Sequence, residues 1–407
     1  METDEYKNYT DPNQYTGTDI ERINSAVRDA RKTGGCVRIF KRRPDAESQR
    51  DYWLIDSAIL LPEDTLLYIV NCKIKLSDKA RDNWIRSANC VVGSTEVNKI
   101  SGIHIIGEGS AVLEGADHPR STGDGGKELG VRTYGTDAGK AGQRQKGDWR
   151  NIGILLVRVS DFSIRNLKMV NSHAWAVSLE FCENGILGDL HFESDQIQEI
   201  DGKPERILNR DGIDLRKGCR NITIRDITGY SGDDLIALTA LPHKEMNTGT
   251  FNSTAFYSNP CSLDEMDLFN ISIHNVRGYC AGGHHIIRLL NNGGIKLHHV
   301  QISGLIDTSP AGKQCRAAVK IGDAAYGGAA PLGDTSDIQI CGVHSKAKFA
   351  VLIGGALGNS MISDVLNYEP SNNGVALQLG NEKTEGLFLN NIRTVGVGGV
   401  KIDGNGN

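Results

Sequence analysis

Apolar positions along this chain come in short runs and not in long faces. From residue 152 onward, segments such as ILLVRV, AVSLEF, ITIRDIT, IIRLL, AAVKI and AVLIGG are rich in β-branched residues and are punctuated by Gly, Asn, Asp and Cys. Their alternation is that of strands with one face buried. Ile213 and Leu215 superimpose on Ile236 and Leu238 at an offset of 23 residues, and Val157 superimposes on Phe181 at an offset of 24. Short strands repeating in the low twenties describe a β-solenoid, in which each unit buries its face by stacking on its neighbours. The expected fold is all-β: a single-stranded, right-handed parallel β-helix of about ten coils.

One stretch breaks the strand pattern. In DIERINSAVRDARKTGG the apolar residues Ile20, Ile23, Val27 and Ala30 fall at helical spacing, Thr18 or Asp19 opens the segment and Gly34-Gly35 stops it. This predicts a helix over residues 19–33 that plugs the open first coil, whose core and strand edge would otherwise be bare. Residues 1–18 are expected as a polar tail, and stacking begins with strands at 36–40, 53–61 and 65–76. Residues 116–150 and 241–267 lack periodicity and read as long loops, the first projecting beside a cleft. No linker interrupts the coils, so residues 1–407 read as one domain.

Composition narrows the partners. With 48 Gly against 10 Pro and 6% aromatic residues, the chain is turn-rich with a long, thin core. A net charge of −5 implies no strongly basic face, so nucleic acid is not an expected partner. No apolar run reaches membrane-spanning length, and the opening METDEYKNYTDPNQY has no apolar signal segment, so the expectation is a cytoplasmic protein or an exported one whose signal has been removed. Nine cysteines without a CxxC pair argue against a zinc or iron–sulfur site, so no metal is expected; they read as reduced, semi-buried space fillers. Oligomeric state is not encoded in any of these features.

The candidate chemistry lies in the carboxylates. The 23-residue offset lays Asp211 over Asp234, with Asp233 beside them, so three carboxylates meet within one coil step of about 4.8 Å. Like charges that close cannot all ionise freely, which is the condition for a general acid beside a general base. Alternation places Ile213, Ile236, Ile287 and Val319 in the interior and Asp214, Ala237, Arg288 and Lys320 on the outer wall. Four residues earlier in their coils stand His284, in register with Asp233, and Arg316. Asp211 and Asp234 carry interior parity, so they reach the site only from a bend before their strands, which Gly212 and Gly232 allow. The candidate catalytic residues are therefore Asp211, Asp233, Asp234 and His284, and the candidate substrate-binding residues are Asn209, Arg288, Arg316 and Lys320. His285 is expected at the surface.

Asn209-Arg210-Asp211-Gly212, Gly232-Asp233-Asp234 and Gly283-His284-His285 resemble the Asn-Thr-Asp, Gly-Asp-Asp and Gly-His-Gly motifs of the polygalacturonase family, glycoside hydrolase family 28. Arg210 stands where that family has Thr. Its carboxylate-gripping Arg-Ile-Lys appears as Ala318-Val319-Lys320, keeping the lysine and losing the arginine. The resemblance implies a glycoside hydrolase acting on a polysaccharide or oligosaccharide with an acidic, uronic sugar. Asp233 would be the acid, Asp211 and Asp234 would activate water, and no cofactor would be needed. Arg288 and Lys320 would hold the sugar carboxylate in a shifted arrangement. Two other readings fit the same residues. One is a polysaccharide lyase or uronate epimerase in which Arg288 or Lys320 abstracts a proton. The other is a non-catalytic carbohydrate-binding β-helix.

Overall fold

The structure is a computed structural model that describes residues 8–80, 82–92, 96–119, 149–241, 262–324, 328–368, 374–380, 382–395 and 399–402. Most of the two expected long loops, residues 120–148 and 242–261, lies outside the described residues.

From residue 154 onward the chain alternates short strands with long ones. The long strands Val159–Val170, Glu183–Glu193, Arg220–Ser231, Leu268–Cys280, Leu297–Asp307, Thr335–Ser345, Leu357–Asn367 and Thr384–Thr394 pair in that order into one sheet. The short strands Ile154–Val157, Val177–Glu180, Ile213–Arg216, Ile236–Ala240, His285–Asn291, Ala317–Ile321, Phe349–Ile353, Val375–Leu379 and Val400–Ile402 build the facing sheet in the same order. Coil-to-coil pairings are parallel, and the whole is a right-handed parallel β-helix. Among the described residues the one antiparallel pairing is a hairpin, Ile197–Ile200 with Lys203–Arg206, which leaves the coil just before the first carboxylate bend.

The register follows the hydrophobic pattern. Ile213 lies opposite Ile236, Ile236 opposite Ile287 and Ile287 opposite Val319, and all four are fully buried in the interior. Asp214, Ala237, Arg288 and Lys320 pair in the adjacent, outward column. One step differs from the sequence reading: Val157 pairs with Glu180 and not with Phe181. The repeat there is also 23 residues, because a slip of one would put every side chain on the wrong face. Phe181 instead sits just past the strand with a left-handed φ of 52°.

Polar punctuation turns the corners. Asn184, Asn221 and Asn270 bend their long strands with φ of 58°, 55° and 55°, a conformation asparagine tolerates better than most residues. Their amides form a ladder: Asn270 donates to Asn221 at 3.0 Å and Asn221 donates to Asn184 at 3.1 Å. Cys182 and Cys219 each donate their thiol to a carbonyl of the preceding coil, Leu156 and Leu179, at 3.3 Å. The eight described cysteines are free thiols, and seven are buried.

The helix forms as Asp19–Thr33. Thr18 and Glu21 make a reciprocal capping box and Gly34 closes the C-terminal end. Its Ile23, Ala26, Val27 and Ala30 are buried against the first strands, covering the end of the stack. The expected polar tail is shorter than residues 1–18. Tyr9–Thr10 add a strand to Cys36–Val37, and Asp11 caps a 3-10 turn over Pro12–Gln14. No helix among the described residues is long and apolar enough to cross a membrane.

Candidate active site

Before each short strand the chain bends, and these bends stack. The Arg210 carbonyl accepts the N–H groups of Gly232 and Asp233 at 2.9 and 3.1 Å, and the Asp234 carbonyl accepts Gly212 at 3.1 Å. One coil on, the His285 carbonyl accepts Leu235 at 3.3 Å and the His284 carbonyl accepts Arg316 at 2.9 Å. A Cβ on Gly232 would lie 2.9 Å from both the Arg210 Cβ and the Gln196 backbone nitrogen, so this close approach requires glycine. Register then aligns two columns. Asp211, Asp234, His285 and Ala317 form one, and Arg210, Asp233, His284 and Arg316 form the next.

The bend is where Asp211 and Asp234 escape their interior parity. Asp211, Asp233 and Asp234 each bring a carboxylate oxygen within 4.8 Å of the other two. Asp211 and Asp234 are buried, at 7% and 1% exposure, while Asp233 is half-buried. Their environments push them apart. Burial, then the Asp234 charge, lifts the Asp233 carboxyl to about 6, against the pull of His284 and Arg288. Burial also raises Asp234, but the His285 imidazole and the Arg288 guanidinium more than offset it and hold the carboxyl at about 2. Asp211 is raised well above the usual carboxylate range by burial and by its two acidic neighbours. A fourth carboxylate, Asp214, lies in the outward column beneath them, raised by burial and partnered by Thr239 at 2.8 Å and Arg216 at 3.2 Å. The spacing of the trio would also let three hard oxygen donors close on a cation.

His285 is the principal correction to the sequence reading. It is 5% exposed and not at the surface, with Nδ1 2.8 Å from Asp234 Oδ1, and its backbone N–H donates to the same oxygen at 3.1 Å. His284 is half-buried beside it and near enough to Asp233 to lower that carboxyl against burial.

The cations are arranged differently from the expectation. Arg288 Nη2 and Lys320 Nζ both contact one oxygen of Asp323, at 3.1 and 2.6 Å, and Arg288 Nη1 lies 3.5 Å from Asp234. Gly322, at φ 70°, turns the chain after the strand Ala317–Ile321 so that Asp323 folds back on Lys320. Asp323 was not singled out in the sequence, although an acid three residues after Lys320 and just past a glycine was the available signal. Arg316 is exposed at the rim, and Asn209 is a half-buried turn residue with φ 54°. Arg210 is fully buried: its guanidinium donates to the carbonyls of Ser172 and Asp195 at 2.7 and 2.9 Å and to the Gln198 side chain. It thereby ties the hairpin to the first carboxylate bend.

The family model described as glycosyl hydrolases family 28 matches residues 82–287, half of the chain, including both aspartate motifs and the two histidines. The chain belongs to glycosyl hydrolases family 28. No curated protein matches it in sequence. Among solved structures, this family 28 chain is similar to a polygalacturonase from Erwinia carotovora ssp. carotovora, with 13% identity, 99% of each chain covered and a TM-score of 0.52. It is also similar to an endo-xylogalacturonan hydrolase from Aspergillus tubingensis, with 14% identity, 95% of this chain and 92% of that one covered, and a TM-score of 0.53. At such identities the likeness is one of fold.

Proposed function

We propose that this chain is a glycoside hydrolase acting on a pectin-type polysaccharide or oligosaccharide, with Asp233 as general acid and Asp234 as general base. The observation that carries this reading is the divergence of two adjacent carboxyls, one raised to about 6 and the other held at about 2, within a converging trio. Groups whose environments push their pKa values apart are suited to acid and base roles. Asp233, the more accessible of the three, donates its proton to the leaving glycosidic oxygen as the bond to the anomeric carbon breaks. Asp234 takes a proton from the water whose oxygen bonds to that carbon. Asp211, whose carboxyl burial and its acidic neighbours raise, stands beside that water and orients it. His284 sits beside Asp233 and His285 steadies Asp234.

A lyase or epimerase would need Arg288 or Lys320 to accept a proton. The Asp323 carboxylate beside Arg288 favours its charged form, whereas at Lys320 burial outweighs Asp323 and lowers the pKa, so a Lys320 base is the form of this second reading to test. The test is release of new reducing ends from a panel of pectic and galactose-type polysaccharides, with absorbance followed in the ultraviolet. New reducing ends without new absorbance support the hydrolase. Absorbance rising in step with chain cleavage would make the chain a lyase, and no cleavage across the panel would count against an enzyme of pectic glycans.

A further inference from the structure

We infer that the subsite formed by Arg288, Lys320 and Asp323 receives a sugar with an uncharged group at C6, a neutral hexose or an esterified uronate, and that Asp323 is the residue that excludes a free uronate. The inference rests on the hydrolase reading only in taking the bends as the substrate cleft.

Four charged groups meet there, two of each sign. Lys320 Nζ lies 2.6 Å from Asp323 and Arg288 Nη2 lies 3.1 Å from the same oxygen, while the other arm of Arg288 reaches Asp234 at 3.5 Å. The charges of Arg288 and Lys320 are thus matched by Asp323 and Asp234. The Lys320 side chain is only 4% exposed, so an incoming carboxylate cannot reach it without displacing Asp323. That carboxylate would bring a further negative charge beside Asp323, where the two cations in contact, Arg288 and Lys320, are already matched, and among the described residues Arg316 at the rim is the further cation that acts on Lys320. Hydroxyl, hydroxymethyl and ester groups meet no such repulsion. Asp323 Oδ2 serves both cations, which leaves its Oδ1 to accept from a sugar hydroxyl, and the Asp323 and Arg288 side chains keep 14% and 17% exposure. Arg316 remains a rim cation in water, where an ion pair contributes little.

Asp323 is placed for this by its own backbone. The left-handed Gly322 lies against Gly355 of the next coil, where a Cβ would come within 2.5 Å of the Gly355 Cα. The turn that presents Asp323 is therefore fixed by coil stacking and is not an accident of an exposed side chain.

The experiment uses three matched ligands: oligogalacturonate, its methyl ester and its carboxyl-reduced form. Binding is measured calorimetrically on the full chain carrying Asp233→Asn to prevent turnover, with and without Asp323→Asn. With Asp323 present, the ester or the reduced form should bind at least about tenfold more tightly than the free acid, and the arm that does so tells esterified uronate from hexose. Asp323→Asn should tighten the free acid by about tenfold or more and leave the uncharged ligands within about threefold. Free acid binding as tightly as both uncharged forms while Asp323 is present overturns the inference. So does an Asp323→Asn variant whose affinity for the acid is unchanged, including the case where nothing binds. If Asp323→Asn does not fold, as judged by its melting curve, the three-ligand comparison with Asp323 present decides alone. Failure of the hydrolase reading looks different: no reducing ends from any glycan, with the binding pattern intact. Hydrolysis that prefers the free acid keeps the enzyme and removes this subsite.

Discussion

Asp234 Oδ1 accepts two hydrogen bonds from one residue, the imidazole Nδ1–H of His285 at 2.8 Å and the His285 backbone N–H at 3.1 Å. The two residues occupy the same column of the stack, one coil apart, so the contact is built by register and not by a flexible reach. Burial lowers the pKa of His285 while Asp234 raises it, and burial prevails. Towards acid pH the imidazole gains its proton and the contact becomes an ion pair.

His285→Ala should therefore release Asp234. Its carboxyl is held at about 2 chiefly by His285 acting against burial, so removing the imidazole should move the acid limb of kcat/KM upward by one unit or more. The loss in kcat near the optimum should be about 10- to 100-fold, with KM little changed. His285→Gln, which can restore a donor, should recover part of both. An acid limb that stays in place in His285→Ala would mean that His285 only packs.

Asp233→Asn should abolish turnover and preserve binding, because the amide keeps the shape and loses the transferable proton. The expected fall in kcat is about 10² to 10⁴-fold or more. Calorimetric affinity for a substrate oligosaccharide should stay within about threefold. Near wild-type turnover in this variant would remove Asp233 from the mechanism.

Much of this site could be read from one number. The 23-residue offset that lays Asp211 over Asp234 also fixes the interior column, and the apolar runs fixed where coils begin and end. Continuing the same register by one coil lays Asp234 over His285, so that contact was legible in principle. It was missed because histidine in a glycine turn reads as surface until the bends are known to stack. Asp323 was harder to foresee. Its role depends on a left-handed glycine and on a long lysine folding back, and neither leaves a hydrophobic period. The hairpin at 197–206 is exposed on nearly every residue and breaks no apolar pattern, so its presence and its tie to Arg210 were invisible to periodicity.

The pH dependence follows from two opposite shifts. In the proposed mechanism Asp233 acts in its protonated form, and its carboxyl is raised to about 6, so kcat/KM should fall as pH rises through about 6. As the proposed base Asp234 acts in its ionised form and is held at about 2, so the acid limb should lie far below the ordinary carboxylate range. Stability follows the same signs. The neutral Asp233 favours the folded state, a contribution complete below the ordinary value of about 3.9 and lost as pH rises through about 6. Asp234 acts oppositely, stabilising above about 3.9 and ceasing to do so as pH falls through about 2. Asp233→Asn should thus melt higher than wild type above pH 6 and about equally near pH 4. The limbs belong to the cluster as a whole and will be apparent values. A profile with its alkaline limb near pH 8 or beyond would exclude Asp233 as the titrating acid.

Arg210 links the family departure to the chemistry. Its carbonyl receives Gly232 and Asp233, while its guanidinium binds the Ser172 and Asp195 carbonyls and Gln198, with no exposed surface. Hydrogen bonds from a charged donor contribute roughly 1.5–3 kcal/mol each, offset by the cost of burying the cation. Arg210→Thr, the residue of the family pattern, removes all three at once and leaves a cavity beneath the bend that carries Asp211. The net destabilisation should be about 2–4 kcal/mol, with kcat lowered about tenfold or more as the Asp211 bend loosens against Asp233. Arg210→Lys should not rescue either loss, since a single ammonium cannot reproduce three planar donors aimed at three acceptors. Thermal melting and steady-state kinetics of the two variants decide it. If Arg210→Thr melts and turns over like wild type, the hairpin and the bend are held by other contacts, and the buried arginine is only a filler where the family has threonine.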